Sequence, residues 1–444
     1  MSPWRVLNWH VGCFLTDAIF ILRSNHHTSS FGKQCAFALV GLAGAGVNAQ
    51  ESIRPSAIGA ATADTRQEQI STTRGDFVRF GPVNVDASAE MSVEVNDNVG
   101  LSETNRKSDV IFRPRLNVDS EWRVTRLNTI RLGLSLSYAK YANNSKLDTQ
   151  ALLLAPGTQL GFDVYVGEHL RLNIHDRIQI TQNPIDEATL SNVQRFARLQ
   201  NSAGVTAFIR YPDLDFVLGC DHFNYHTLSS EFNYLNRAEE QFSGSVRRRV
   251  NDALGIGVEA SAALVNYSEP VNNDATTWTM GAFADTTLSE YSRIRLSGGY
   301  QNMSFDGNGS NRDANSFGSW YANLAAAQRI SQYVSHSLTL GREARVGLSV
   351  NFADYVFARY AAAWRMNAMM TWTFDAFVED AKESGGATLN AEHALRWGGG
   401  ALLAWKIAER MTLGLRYGYV NKDSDLALRS YSQSTATVSL NYHF

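Results

Sequence analysis

The segment that most constrains the fold is the last one in the chain, residues 432–444. Apolar and polar side chains alternate strictly from residue 436 to the end, which predicts a β-strand with one apolar and one polar face. Chain ends of soluble domains are normally polar and frayed. An apolar strand ending on Phe444 instead favours a closed barrel, because the last strand of a barrel must pair with the first.

The same alternation recurs through most of the chain. In residues 83–95 every odd position is apolar and every even position is polar. Counting such segments predicts eighteen strands, with sixteen as the alternative. The sequence contains 44% hydrophobic residues and only eight prolines, and its mean hydropathy is -0.23. These values suit alternating strands better than buried helices.

The predicted connectors fall into two length classes. The long ones are residues 101–107, 142–148, 181–198, 223–236, 267–274, 303–315, 380–392 and 421–431. The short ones are residues 125–128, 167–169, 212–213, 251–253, 289–292, 365–367 and 408–410. Barrels of the outer-membrane type have short periplasmic turns and longer external loops. We therefore predict an all-β, antiparallel, up-and-down transmembrane barrel with both termini in the periplasm.

In such a barrel the apolar faces contact lipid and the polar faces line the lumen. The predicted lumen-facing residues are Arg113, Arg115, Arg123, Arg131, Arg171, Arg177, Arg293, Arg295, Arg359, Glu90 and Glu94. Asp176 and Arg248 break the pattern, because their positions fall on the lipid face. Tyr and Trp near strand ends are expected to form interfacial girdles.

The N-terminal region resembles a targeting segment. Lys33 precedes an apolar run at residues 35–45, and small residues at 47–49 suit a signal peptidase. We predict a leader at residues 1–49, a periplasmic tail at 50–76 and the barrel at 77–444, so that mature protein begins near Gln50. Cys13 and Cys35 would leave with the leader and Cys220 would remain alone, which excludes an intrachain disulfide.

No motif in the sequence predicts catalysis, a cofactor or a metal ion. The glycine-rich segment 41–46 lies in the leader and lacks the strand and helix that nucleotide binding needs. Residues 306–313 resemble a calcium loop, but Asn311 and Phe317 replace the required Gly and Glu. We interpret this segment as a solvated external loop. The net charge of -3 gives no indication of a nucleic-acid partner.

Two other classes of function stay open. Asp221, His222, His226, Ser229 and Ser230 cluster in sequence beside one external loop, as a hydrolase of the barrel rim would require. Closeness in sequence does not make a triad, because base, nucleophile and orienting group must also meet in space. A barrel with a plugged lumen that serves as an adhesin or receptor is the other alternative.

Several short segments resemble the β-barrel porin 2 family. They include residues 94–99, 108–116, 220–225, 265–267 and 338–343, and the resemblance spans roughly residues 80–444. It implies a Gram-negative outer-membrane protein, often associated with exopolysaccharide or capsule export, with no catalytic residues.

The resulting expectation is a passive porin-like channel, with polysaccharide as one candidate cargo. Its expected partners are outer-membrane lipid and lipopolysaccharide, together with the barrel-insertion machinery. Val438, Leu440, Tyr442 and Phe444 are interpreted as the C-terminal signal that this machinery binds.

Overall fold

A computed structural model describes residues 78–149, 152–385 and 391–444 of the chain. Within these residues eighteen long strands form the wall of one closed antiparallel barrel. The strands are β1 Val83–Asn96, β2 Asp109–Arg123, β3 Thr129–Ser137, β4 Gln159–Val166, β5 Leu170–Thr181, β6 Arg198–Arg210, β7 Leu214–Thr227, β8 Arg237–Arg249, β9 Leu254–Tyr267, β10 Ala275–Ser289, β11 Ser292–Phe305, β12 Phe317–Arg329, β13 Val334–Val346, β14 Phe352–Arg365, β15 Met370–Glu383, β16 His393–Ala408, β17 Met411–Ser424 and β18 Tyr431–His443.

Each strand pairs with its neighbours in the chain, and the barrel closes where β18 pairs with β1. That pairing runs from Ser88 opposite His443 to Asn96 opposite Thr435. The backbone N–H of Phe444 extends it by donating to the carbonyl of Ala87 at 3.0 Å. The predicted fold class and the predicted count of eighteen strands are therefore confirmed.

Short elements accompany the wall. Val78–Phe80 pairs with the start of β1, Lys140–Tyr141 extends along β2 and Leu153–Leu154 extends along β3. Three 3-10 helices lie in the loops, at Ser145–Leu147, Pro184–Asp186 and Ser230–Leu235. In the part of the chain that the structure describes, no helix has both the length and the apolar character to cross a bilayer.

The connectors separate by length between the two ends of the barrel. At one end the turns are as short as residues 290–291 and 409–410, and β1 starts and β18 finishes at this end. At the other end lie the loops, including residues 97–108, 182–197 and 306–316. The exception is the connector of β13 and β14, residues 347–351, which is short although it lies at the loop end.

The outer face carries a belt of exposed apolar side chains. Members include Met91, Leu132, Leu160, Ile174, Leu218, Val258, Leu296, Val356, Leu415 and Val438. Exposed aromatic residues border the belt near the turns, at Trp122, Tyr211, Tyr291, Tyr333, Trp364 and Trp405, and towards the loops, at Trp278, Tyr300, Trp320 and Trp397. Such a belt between aromatic girdles suits a lipid environment.

Two aromatic residues that the sequence places at strand ends do not belong to these girdles. Tyr141 packs against a buried cluster that contains Ile111 and Leu147, and Tyr267 lies beside the buried guanidinium of Arg237. Both rings are therefore used for packing inside the protein. The predicted leader and the predicted periplasmic tail lie outside the described residues.

Candidate functional site

The inner face of the barrel carries the polar half of the alternation, including the predicted lumen residues. In β1 and β2, Arg113 forms an ion pair with Glu94 at 3.5 Å, and Arg115 lies opposite Glu90 in the strand register. Pairing of this kind is required because an isolated buried charge is costly. The inner faces of β1 and β2 therefore carry charges of both signs.

A polar chain continues along the inner faces of β3 to β7. Arg131 contacts Glu121 at 3.5 Å and donates to Asp163 at 2.5 Å. Asp163 also accepts a hydrogen bond from Asn173 at 3.0 Å. His175 then connects Asn173, at 3.1 Å, to Asp221, at 2.6 Å.

A denser network lies near the turns on β7 to β11. Arg247 contacts Asp215 at 3.3 Å and Asp285 at 2.7 Å. Arg295 contacts Asp285 at 2.8 Å and Glu259 at 2.9 Å, and its guanidinium lies 4.0 Å from the ring centroid of Phe283. Because the side chains of Arg247 and Arg295 keep about a third and a quarter of their exposure, this half of the lumen is open to water.

The remaining predicted lumen residues lie elsewhere on the inner face. Arg171 and Arg359 stack on the rings of Phe208 and Phe357 at 4.2 and 5.0 Å, and Arg123 contacts Glu121 at 3.1 Å near the turns. Arg177 and Arg293 occupy inner positions of β5 and β11 and are half-buried and exposed, respectively. Sequence alternation gives their face but not their partners.

The loop at residues 182–197 crosses the barrel. Ala188 packs among Ala353, Tyr355, Phe357 and Ala381, which lie on β14 and β15. In a ring of eighteen strands β15 lies nine strands from β6, where the loop ends, so this contact spans the full width of the lumen. The sequence predicts an external loop at 181–198, and the structure corrects this prediction because the loop folds inward.

Hydrogen bonds hold the crossing loop against the opposite wall. Arg396 on β16 donates to the carbonyl of Ile185 at 2.6 Å. Ser191 donates to the carbonyl of Arg429 at 2.7 Å, and Asn192 donates to the carbonyl of Leu428 at 2.6 Å. Asn192 has a φ of 59°, a conformation that Asn tolerates better than most residues.

A buried charged cluster anchors the same contact. Lys422 and Arg429 each contact Glu392 at 2.8 Å, and Lys422 also donates to Ser191 at 3.0 Å. The side chains of Lys422 and Glu392 have no exposed surface. The anchored loop therefore forms a constriction at the loop end of the lumen.

A sequence signal for the inward loop exists in its composition. Apolar side chains recur along it, at Ile185, Ala188, Leu190, Val193 and Phe196. Phe196 is completely buried with Phe223, Tyr225 and Leu235. An external solvated loop would have no reason to carry these residues.

The segment at residues 306–313, predicted as a solvated external loop, is exposed along most of its length, but the side chains of Asn311 and Asp313 are buried. Asp313 is 2% exposed, and its carboxylate accepts hydrogen bonds from the backbone of Asn315 and Asn351 and from the Ser384 hydroxyl. These hydrogen bonds connect the loop to Asn351 and Ser384 of two neighbouring external loops. Among the described residues no group of three or more His, Cys, Asp or Glu is arranged to bind a metal ion.

The residues of the hydrolase alternative lie on opposite sides of the wall. Asp221 faces inward and pairs with His175, whereas His222 faces outward and contacts Glu240 at 2.7 Å. Adjacent residues of a strand point to opposite faces. Asp221 and His222 therefore cannot act in one triad.

Polar residues do occur on the outer face. Asp176 accepts a hydrogen bond from Asn201 at 2.5 Å, and the pairing of β5 with both neighbours is continuous around it. Its outward position thus needs no bulge. Arg248 is exposed close to the turn between β8 and β9, where its side chain can extend to the interface.

No protein-family model matches the chain, and no curated protein is significantly similar to it. The resemblance to the β-barrel porin 2 family is thus not confirmed. Among solved structures the chain is similar to OccAB3 of Acinetobacter baumannii (9% identity, 82% of this chain and 99% of that one, TM-score 0.47). It is also similar to OccK2 (OpdF) of Pseudomonas aeruginosa in complex with glucuronate (10% identity, 82% and 98%, TM-score 0.47). A third is the siderophore receptor PirA of Pseudomonas aeruginosa (10% identity, 81% and 80%, TM-score 0.42).

The cellular location follows from the architecture itself. A closed antiparallel barrel with an even number of strands, a lipid-facing apolar belt and a polar interior is the form taken by bacterial outer-membrane proteins. The chain is therefore a protein of the bacterial outer membrane.

Proposed function

We propose that this protein is a passive channel for small polar solutes, with its narrowest point at the loop of residues 182–197. The observation that carries the proposal is a polar, ion-paired lumen that is open towards the turns and crossed by one anchored loop at the other end. Charges of both signs on the wall provide hydrogen-bonding groups along the path. No energy-coupling motif accompanies them in the sequence, so that flux would follow a concentration gradient.

The constriction limits the size of the solute that can pass. Ala188 contacts side chains of the opposite wall, which leaves room for solutes only beside the loop or after it moves. Export of exopolysaccharide, the cargo suggested by the family resemblance, requires a path that admits a polymer chain. The crossing loop therefore favours a small solute over a polymer.

Release of the loop supplies the test. Ser191→Ala combined with Asn192→Gly removes three side-chain hydrogen bonds while keeping a residue that tolerates the positive φ of Asn192. At about 0.5–1.5 kcal/mol for each hydrogen bond, the anchored state loses much of its advantage. We expect proteoliposomes with the wild type to swell in a pentose and to exclude a large oligosaccharide, and the double variant to admit larger sugars.

Asn308→Gly is the matched control, because Asn308 contacts Asp274 in a different loop. It should leave the size limit unchanged. If the wild type admits no solute and the double variant admits none either, the channel proposal is wrong. If Asn308→Gly changes the size limit as much as the double variant does, the loop at residues 182–197 is not the constriction.

A further inference from the structure

The wall of the barrel contains an interruption between β12 and β13 near the loops. Pairing of these strands ends at Ala322 opposite Arg342, although β12 begins at Phe317 and β13 continues to Val346. Residues 317–321 and 343–346 are all described, and the register of the two strands pairs none of them with each other. We call this region, formed by residues 317–321 and 343–346, the seam.

The end of β13 lies behind β11 and β12 instead of beside β12. Gln301, on the inner face of β11, donates to the carbonyl of Ala344 at 2.7 Å and accepts from its backbone N–H at 2.9 Å. Ala344 packs against Met303 and Phe317, two inward side chains of β11 and β12. The outward face of β13 therefore overlaps the inward face of its neighbours.

The overlap is sealed by side chains alone. Val346 and Phe352 add to the apolar contact, and the rings of Phe317 and Phe352 lie 5.1 Å apart. On the outer side Arg342 crosses the seam, because it donates to the Ser319 hydroxyl at 2.9 Å and to the carbonyl of Trp320 at 3.2 Å. It also contacts Asp354 at 2.8 Å. The seam is therefore the part of these two strands that can separate without breaking a ladder.

A cavity of about 100 Å³ adjoins the seam on the lumen side, and it is lined by Ala344 and Val346 of the seam and by Gln301 and Met303 of β11. Tyr225 and Arg237, which are 3% and 9% exposed, also line the cavity, together with the charged side chains of Glu187, Glu239 and Arg345. The Tyr225 hydroxyl and Arg237 Nη1 have no hydrogen-bond partner among the described residues. Arg237 uses its Nε to contact Glu239 at 2.8 Å, which leaves this second edge directed at the cavity.

We propose that the seam is a lateral passage between this cavity and the membrane, and that its ligands are small amphipathic organic anions. The buried donors of Arg237 and Tyr225 suit an anionic headgroup, since buried donors without partners are costly until a ligand satisfies them. The apolar side chains of the seam suit an aliphatic tail that partitions into lipid. This passage is separate from the axial path of polar solutes.

Photolabelling provides the test, with a decanoate that carries a diazirine at its tail and with full-length protein in liposomes. We expect labels at Phe317 and at the apolar cavity residues Met303 and Val346, because the tail that carries the diazirine would lie there. The corresponding alcohol, which has no charge, should label the cavity several-fold less. Labels confined to the outer belt, for example at Leu218 and Leu296, or equal cavity labelling by acid and alcohol, would contradict the proposal.

Two glutamine variants distinguish opening of the seam from a general loosening of the barrel. Gln301→Ala removes both hydrogen bonds to Ala344 and should increase the labelling rate of the cavity several-fold. Gln433→Ala removes a comparable side-chain bond to the carbonyl of Asn98, at 2.7 Å, and should have no effect. An equal response in both variants would overturn the assignment of the seam. Labelling needs no axial flux, so it can fail while the channel test succeeds.

Discussion

At the scale of single residues, the direction of each side chain decides what a substitution costs. Arg293 and Leu296 lie three positions apart in β11 and point to opposite faces. Alternation in the sequence was sufficient to predict these faces. It could not predict the ion-pair partners of each side chain, because these partners lie on other strands. Arg131 on β3, for example, contacts Glu121 on β2 and Asp163 on β4.

Leu296→Arg should impair insertion, whereas Arg293→Ser should not. Leu296 is 56% exposed on the apolar belt, and a cation near the membrane midplane costs about 2–4 kcal/mol in such barrels. Arg293 faces water before and after the change. The measurement is the yield of heat-modifiable barrel in outer membranes. A similar yield for both variants would contradict the assigned faces.

Arg131 would be a poor choice for the same comparison. Its removal leaves the carboxylate of Asp163, whose side chain is 7% exposed, without its cationic partner. Breaking a buried pair from one side costs about 3–5 kcal/mol. We expect Arg131→Ser to reduce resistance to denaturation, and restoration by the additional change Asp163→Asn would attribute this loss to the orphaned charge.

A second residue-scale prediction concerns pH. Glu383 is the last residue of β15, at the loop end of the barrel. It lies three positions beyond Asp380, whose outward polar side chain indicates that the apolar belt has already ended there. Burial, and then the nearby Glu392, raise the pKa of Glu383 to about 7, against the opposing effect of Arg429 and Lys422. A carboxyl with a raised pKa contributes stability that is fully present below its ordinary pKa of 4.5 and is lost as pH rises from there through about 7.

Because Glu392 also anchors the crossing loop through Lys422, ionisation of Glu383 should weaken the constriction. We expect the conductance of the wild type to rise between about pH 6 and 8 and that of Glu383→Gln to stay constant over this range. Conductance that rises equally in both proteins would exclude this carboxyl as the cause.

At the scale of elements, the terminal strand β18 has two tasks. It closes the barrel by pairing with β1, and its outward residues Val438, Leu440, Tyr442 and Phe444 form the proposed insertion signal. Closure could be predicted from the sequence because a strict alternation ends at the C-terminus. The inward end of β13 was not predicted, because Ala344 and Val346 resemble lipid-facing residues, although Arg342 interrupts the apolar face just before them.

Leu440→Asp should prevent assembly, and the adjacent Ser439→Asp is its control. Leu440 lies on the outer face, 39% exposed, whereas Ser439 points to the lumen side. An unpaired closing strand exposes backbone groups that hydrocarbon cannot satisfy. The expected result is degradation of the Leu440 variant in the periplasm and normal levels of the Ser439 variant, measured by fractionation. Normal membrane levels of Leu440→Asp would argue against this role of β18.

At the scale of the whole molecule, the barrel combines a regular wall with an irregular interior. The wall follows from a period of two residues and from the need to pair every strand edge in lipid. The interior follows from contacts such as Ala188 with Ala381, which join residues far apart in the sequence. No local pattern specifies such contacts, although the apolar residues of the loop at 182–197 indicate that it is buried.

The most direct test of a channel constricted by this loop is single-channel conductance in planar bilayers. Wild-type protein would be compared with a variant in which residues 184–195 are replaced by a Gly-Ser segment of equal length, after both are shown to be heat-modifiable barrels. We expect small, discrete conductance steps from the wild type and steps several-fold larger from the variant. Equal steps from both proteins, or no conductance from the variant, would contradict the account.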